Sequence, residues 1–258
     1  MSAIVLLEWK FTPPDYFEEV IEILRHDYVM NIADGKVEAK IESSIFDSNL
    51  TIRQGLHESL NDRFLGVQLL THRPYELSKS TIVRVHPDGR RDISIEPESA
   101  CIVMSGGSVD IRVTDKDGNV ILDSKRDRIE RKKSLAELIS AHRASDGLLG
   151  AMLLSYDAGV RDPNNELVHL YEIRDALPVK FGDESSARAA LAITASQWSR
   201  LGQLCNSEPL CQGRHRGKTG EVLRDATEGE LAEARVIARA MIEAYLQYID
   251  TRNLQGSS

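Results

Sequence analysis

Residue types that act on phosphodiesters lie close together near the C-terminal end of the chain. They are Arg214 and His215, with a second arginine at position 216. A guanidinium donates two parallel hydrogen bonds to a phosphate group. Histidine exchanges a proton near neutral pH and can therefore act as a general acid or base. This set predicts metal-free RNA cleavage, in which His215 transfers protons and Arg214 binds the phosphate.

The sequence around these residues is locally basic. Between positions 198 and 224 there are five Lys and Arg residues against two acidic ones. Gly213 and Gly217 flank the Arg-His-Arg run, and glycine lets a backbone approach a ligand closely. We therefore predict further substrate contacts from Arg200, Arg216 and Lys218.

The same loop also fits two alternatives without catalysis. Arginines that follow a helix often pair with surface carboxylates, and Glu172, Asp175 or Glu230 could be such partners. The protein would then be a non-catalytic binding or assembly module. In the second alternative, the loop binds a small ligand or a protein partner.

Residues on both sides of this loop resemble bacterial helical domains of the HEPN class. The resemblance covers residues 130–250 and is carried by residues 169–177 (HLYEIRDAL), residues 198–201 (WSRL), Asn206, Arg214 and His215. HEPN domains are helical bundles found in RNases, toxins and phage-defence proteins. The resemblance implies an RNA ligand, metal-independent endoribonuclease activity in defence or toxin biology, and a homodimer. By residue type, Asn206, Arg214 and His215 match the polar, arginine and histidine positions of HEPN nucleases.

A different class of function is suggested by residues 185–205. A short Ala-rich helix, a tight turn and a helix capped by Thr194 are typical of a helix-turn-helix. Its second helix would present four polar side chains to a DNA major groove: Ser196, Gln197, Ser199 and Arg200. Alternatively, the two helices pack into a bundle through Leu191 and Trp198. Residues 127–258 carry 17 basic and 19 acidic side chains, an acidic balance that disfavours DNA binding.

Strands must dominate the first half of the chain. Runs of alternating or β-branched residues are separated by Asp-Gly and Gly-Gly steps, which favour hairpins. The apolar run at 64–70 is included among these strands, and residues 16–26 fit either a helix or a strand. Apolar residues four apart at Ile52, Leu56 and Leu60 predict one helix.

The apolar spacing changes to the helical period at about residue 126. We therefore predict an α+β fold: a β-rich N-terminal domain (1–125) with one or two helices, then an all-α C-terminal helical bundle (126–250). Residues 251–258 are expected to be a disordered tail.

Composition restricts the class of protein further. The chain has 258 residues, of which 41% are hydrophobic, and a net charge of −8, so the whole protein is not a general polyanion binder. Three cysteines are too few for a disulfide scaffold and lack zinc-finger spacing. No signal peptide or membrane span is evident, and we expect a soluble, cytoplasmic protein without cofactor or metal. The β-rich domain is expected to recognise an unidentified protein or ligand.

Overall fold

Burial alternates along the first strand, and this alternation explains why the N-terminal half forms a sheet. In β1 (Ile4–Thr12), Val5, Leu7, Trp9 and Phe11 are buried while their neighbours are partly exposed. The computed structural model describes residues 3–94, 110–114, 119–214 and 222–256. Seven strands form an antiparallel sheet in the order β2-β3-β4-β1-β6-β7, with β5 paired to the end of β1. The further strands are β2 (Ile21–Leu24), β3 (Tyr28–Ala33), β4 (Lys36–Glu42), β5 (Glu76–Leu77), β6 (Thr81–Val85) and β7 (Arg91–Ser94).

Two helices, α1 (Ser43–Ser48) and α2 (Ile52–Thr71), lie between β4 and β5. Helix α2 confirms the helix expected from Ile52, Leu56 and Leu60, which are all buried. The strand expected at 64–70 is wrong, because this run continues α2. A continuous apolar run does not distinguish a buried helix from a buried strand, and here the helix that starts at Ile52 extends through it.

A second, two-stranded sheet consists of β8 (Arg112–Thr114) and β9 (Val120–Asp123). Residues 100–104 form one of the runs that predict a strand, and they lie outside the described residues. The segment at 16–26, which the sequence left open, contains the strand β2.

The second half of the chain is helical and confirms the α+β class. Its core is a cluster of buried side chains that includes Leu170, Trp198, Ala238 and Tyr245, together with Leu69 from the end of α2. Thr194 and Gln197 form a capping box, as the sequence predicts, and so do Thr227 and Glu230. The helices are α3 (Ser124–His142), α4 (Gly147–Arg161), α5 (Glu166–Phe181), α6 (Glu184–Leu191), α7 (Ala195–Gly202) and α8 (Glu228–Gly256).

The chain divides into two compact units, and each contains two separate stretches of sequence. The first unit is residues 1–67 with 75–134, and the second is residues 68–74 with 135–258. The sequence predicts one boundary after residue 125. The last turn of α2 instead belongs to the second unit because Leu69 lies in the helical core. The first half of α3 belongs to the first unit, where Arg128 and Lys132 bind Glu18.

Residues 251–256 continue helix α8, where the sequence predicts a disordered tail. None of the helices in the described part of the chain is long and apolar enough to cross a membrane.

Candidate functional site

A π-helical turn, Gln203–Ser207, follows α7 and holds the start of the candidate loop. The backbone N–H of Arg214 donates to the carbonyl of Cys205 at 2.8 Å, so the loop returns to the residue before Asn206. Turns of π-helix are rare and occur frequently at functional sites. The backbone therefore brings Arg214 close to the residue that precedes Asn206.

Gly213 is required by the loop itself. A Cβ atom at this position would lie 3.2 Å from the carbonyl oxygens of both Cys205 and Leu210. The expected close approach at Gly213 is thus to the chain's own backbone, which fixes the course of the loop before Arg214.

The two described ends of the loop are also tied to each other. Leu210 and Arg224 form a parallel bridge, in which Cys211 N–H donates to the Arg224 carbonyl at 2.9 Å. Arg224 N–H donates to the Pro209 carbonyl at 3.0 Å. The segment 215–221, which includes His215, Arg216 and Lys218, lies outside the described residues.

Four side chains next to the loop form a series of cation–π contacts, which we call the arginine–aromatic series: Trp198, Arg174, Tyr171 and Arg214. The guanidinium carbon of Arg174 lies 5.1 Å from the ring centroid of Trp198 and 5.2 Å from that of Tyr171. The guanidinium carbon of Arg214 lies 5.0 Å from the same Tyr171 ring. Trp198 and Tyr171 are buried, whereas the side chain of Arg214, at the end of the series, is 46% exposed. Arg214 is therefore the member that a ligand in solution can reach.

Two members of the series, Tyr171 and Arg174, lie on one face of α5. Tyr171, Arg174 and Asp175 are three and four residues apart on α5 and share a side of it. A Cβ atom at Gly202 would lie 1.9 Å from Nη1 of Arg174, so the glycine at the end of α7 leaves room for this guanidinium. These residues were missed as site residues in the sequence, although their spacing on α5 and the glycine are signals that could have found them.

Arg214 also contacts a carboxylate. Its Nη1 donates to Oδ2 of Asp175 at 2.6 Å, and the side chain of Asp175 is 44% exposed. Asp175 is one of the three acids expected to pair with the loop arginines if the loop has only a structural role, which we call the structural alternative. The second, Glu230, binds Arg224 through two contacts of 2.8 and 2.6 Å. The third, Glu172, instead accepts from the Ser155 hydroxyl.

The remaining predicted substrate contact in the described chain, Arg200, does not join the loop. Its Nε and Nη2 donate to Oε2 of Glu233 on α8 at 3.0 and 2.8 Å, and its Nη1 donates to Gln203. The substrate contact expected from Arg200 stays a prediction. A charge sum over adjacent sequence overlooks acids contributed by α5 and α8, and these acids pair with all three described arginines of the segment.

Two polar atoms and one thiol of the site are shielded from water. Asn206 is partly buried, and its Oδ1 has no hydrogen-bond partner among the residues that the structure describes. Trp198 Nε1 is also buried and likewise has no hydrogen-bond partner among the described residues. Burial raises the pKa of the Cys205 thiol to about 12, so this sulfur is protonated at neutral pH and is not a nucleophile.

The helix-turn-helix segment has the local geometry that the sequence predicts. Helices α6 and α7 are joined by a turn in which Ala192 adopts a left-handed φ of 53°. Two of the four expected DNA contacts are engaged within the chain, because Gln197 accepts from Thr194 in the capping box and Arg200 binds Glu233. Ser196 and Ser199 are exposed.

Comparisons with protein-family models, with curated proteins and with solved structures found no match. Among the described residues, no three His, Cys, Asp or Glu side chains are grouped closely enough to hold a metal ion. The arrangement of Arg214, Tyr171 and Asn206 therefore has to be interpreted from its own chemistry.

Proposed function

We propose that the helical unit binds RNA at Arg214 and cleaves the bound strand with His215, as a metal-independent ribonuclease. The observation that carries this proposal is the position of the Arg214 guanidinium. It lies at the exposed end of the arginine–aromatic series, and its backbone is fixed next to Asn206. The residue that follows it in the chain is the only histidine of the segment 198–224.

The proposed chemistry follows from these residue types. His215 accepts the proton of a ribose 2′-hydroxyl, and the 2′-oxygen attacks the adjacent phosphorus. The bond from phosphorus to the 5′-oxygen breaks, which leaves a 2′,3′-cyclic phosphate, and the 5′-oxygen takes up a proton from water. Arg214 stabilises the charge that develops on the phosphate oxygens. Arg216 and Lys218 bind neighbouring phosphates of the strand, and the Asn206 amide orients the loop.

The test is RNA cleavage by the purified protein in EDTA, with the His215→Ala variant beside the wild type. His26→Ala is the matched control because the side chain of His26 is 93% exposed and belongs to the other unit. We expect cleavage by the wild type and by His26→Ala, and none by His215→Ala or with a 2′-deoxy substrate. Cleavage by a folded His215→Ala protein that matches the wild type would contradict the proposal.

The structural alternative is a second candidate, and one observation favours it: Arg214 already has a carboxylate partner. In that case Arg214→Ala lowers the melting temperature and no RNA is bound or cut. The DNA-binding alternative predicts salt-dependent binding of duplex DNA that is lost in Arg200→Ala. A homodimer, and a partner for the β-rich unit, stay predictions from the sequence.

A further inference from the structure

We propose that Asp175 is a positioning residue that competes with RNA phosphate for Arg214, so that RNA binds as the contact between the two side chains opens. This inference rests on the proposed function, because it concerns the same guanidinium. Removal of Asp175 should increase the affinity for RNA. Removal of a residue that contacts the RNA, such as Arg214, should instead decrease it.

The geometry of the contact is that of an exchangeable pair. A single guanidinium nitrogen donates to a single carboxylate oxygen, at 2.6 Å, and both side chains are nearly half exposed. Water screens exposed ion pairs, so such a contact contributes little to stability. A phosphate can offer Arg214 two oxygens in parallel and bears charge on both, which makes it the stronger partner.

Tyr171 keeps Arg214 at the site when Asp175 is replaced as its partner. The ring lies 5.0 Å from the guanidinium carbon and is itself held by Arg174 on α5. A cation–π contact leaves the edge of the guanidinium, with its N–H donors, available to an anion. The backbone hydrogen bond from Arg214 to Cys205 is likewise independent of the carboxylate. The phosphate therefore meets a guanidinium that is already in place.

The carboxylate also determines which anions can bind. It holds a negative charge next to the guanidinium, so a weakly held anion is repelled, whereas a strand with several phosphates gains enough from neighbouring contacts to replace it. Asp175 thus sets the affinity of the site and favours a polyanion over a single small anion.

The experiment compares Asp175→Asn with Asp157→Asn by fluorescence anisotropy, with a labelled 2′-O-methyl RNA oligonucleotide that cannot undergo attack by the 2′-hydroxyl. Asp157 is the matched control because it pairs with Arg161 at 2.9 Å on α4, and its loss changes the net charge equally. Asp175→Ser is a second variant that removes the carboxylate, and melting temperatures show that each protein is folded.

We expect Asp175→Asn and Asp175→Ser to bind the RNA about fivefold more tightly than the wild type, and Asp157→Asn to stay within about twofold. Asp175→Glu, which keeps the charge, should bind as the wild type does. Equal affinities of Asp175→Asn and Asp157→Asn, or weaker binding by Asp175→Asn, would overturn the competition.

Arg214→Ala separates failure of this inference from failure of the proposed function. If Arg214→Ala binds the RNA more weakly but Asp175→Asn behaves as its control does, RNA binding stands and the competition is wrong. If Arg214→Ala binds as the wild type does, or if no protein binds RNA, both proposals are wrong.

Discussion

Helix α5 carries two carboxylate–arginine contacts that differ in their surroundings, and the difference shows which one can serve a ligand. At its first turn, Glu166 is 2% exposed and accepts two hydrogen bonds from Arg235, at 2.6 and 2.8 Å, with His72 Nε2 at 3.3 Å. Two turns further on, Asp175 is 44% exposed and accepts one bond from Arg214. The two pairs use the same chemical groups, but the first is enclosed and the second faces water.

Burial decides what each pair can do. Burial raises the pKa of Glu166, but the hydrogen bonds from Arg235 and His72 outweigh it, and the net shift is downward. The carboxylate is therefore charged at neutral pH and depends on its partners. The exposed pair of Asp175 and Arg214 is surrounded by water instead. Each of these side chains can therefore give up the other as its partner at little cost in free energy. We infer that Glu166 stabilises the helical unit, whereas Asp175 regulates a surface site.

The largest expected effect is on the buried pair. Glu166→Gln removes the buried carboxylate from the Arg235 guanidinium, which keeps a contact with the exposed Glu228 at 2.6 Å. It should lower the free energy of unfolding by about 2–3 kcal/mol. Urea denaturation of the variant measures this change. Glu172→Gln on the same helix is the control, with an expected loss under about 0.5 kcal/mol because that side chain is half exposed. If Glu166→Gln lost less than about 1 kcal/mol, the buried pair would not differ from the exposed pair in its contribution to stability.

A carboxylate of the first unit sharpens the comparison through its pH dependence. The hydrogen bond from Arg128 is the main cause that lowers the pKa of Glu18 to about 2, and Lys132 adds to it. Because the folded pKa lies below the ordinary value of 4.5, this stabilisation is complete above pH 4.5 and is lost as the pH falls toward 2.

We expect Glu18→Gln to remove about 1–2 kcal/mol of stability at pH 7, once solvent screening is allowed for, and to flatten the loss below pH 4.5. Circular dichroism during urea denaturation at several pH values measures it. The neighbouring exposed carboxylate gives the control, since Glu19→Gln should keep the wild-type profile. If Glu18→Gln lost stability below pH 4.5 as the wild type does, the contacts of Glu18 with Arg128 and Lys132 would contribute as little to stability as the contact of Asp175 with Arg214.

The smallest expected effect tests the backbone that presents Arg214. Gly213→Ala places a methyl group 3.2 Å from two carbonyl oxygens, so it should lower the free energy of unfolding by about 1 kcal/mol and weaken RNA binding. At Gly229 in the first turn of α8, the nearest atom to an added Cβ is 3.9 Å away. Gly229→Ala should therefore be neutral in both measurements. Equal behaviour of the two variants would show that the loop course does not position Arg214.

The sequence predicts the fold class well because both halves have clear periods. Runs of β-branched residues separated by Asp-Gly and Gly-Gly steps identify strands, and apolar residues at helical spacing identify helices, without tertiary information. It fails at residues 64–70 because an apolar run has no period to interpret. The unit boundaries were also beyond prediction, since they depend on which core Leu69 joins and on the contact of Arg128 with Glu18.

The candidate site is predicted only in its local part. Asn206 and Arg214 lie in one loop, and the capping box at Thr194 fixes the helix that leads to it. Asp175 and Tyr171 come from a helix some 40 residues earlier, so only the folded chain shows that they hold Arg214. The same limit applies to Arg200, whose partner Glu233 comes from α8.

The most direct test of the account is the affinity for RNA of Arg214→Ala against Arg224→Ala. Both arginines belong to the same loop, each pairs with one carboxylate, and each side chain is 46% exposed. Only Arg214 lies on Tyr171 beside Asn206. We expect Arg214→Ala to bind a 2′-O-methyl RNA about tenfold more weakly, and Arg224→Ala to stay within about twofold of the wild type. Equal affinities of the two folded variants would contradict the assignment of Arg214 as the RNA-binding residue.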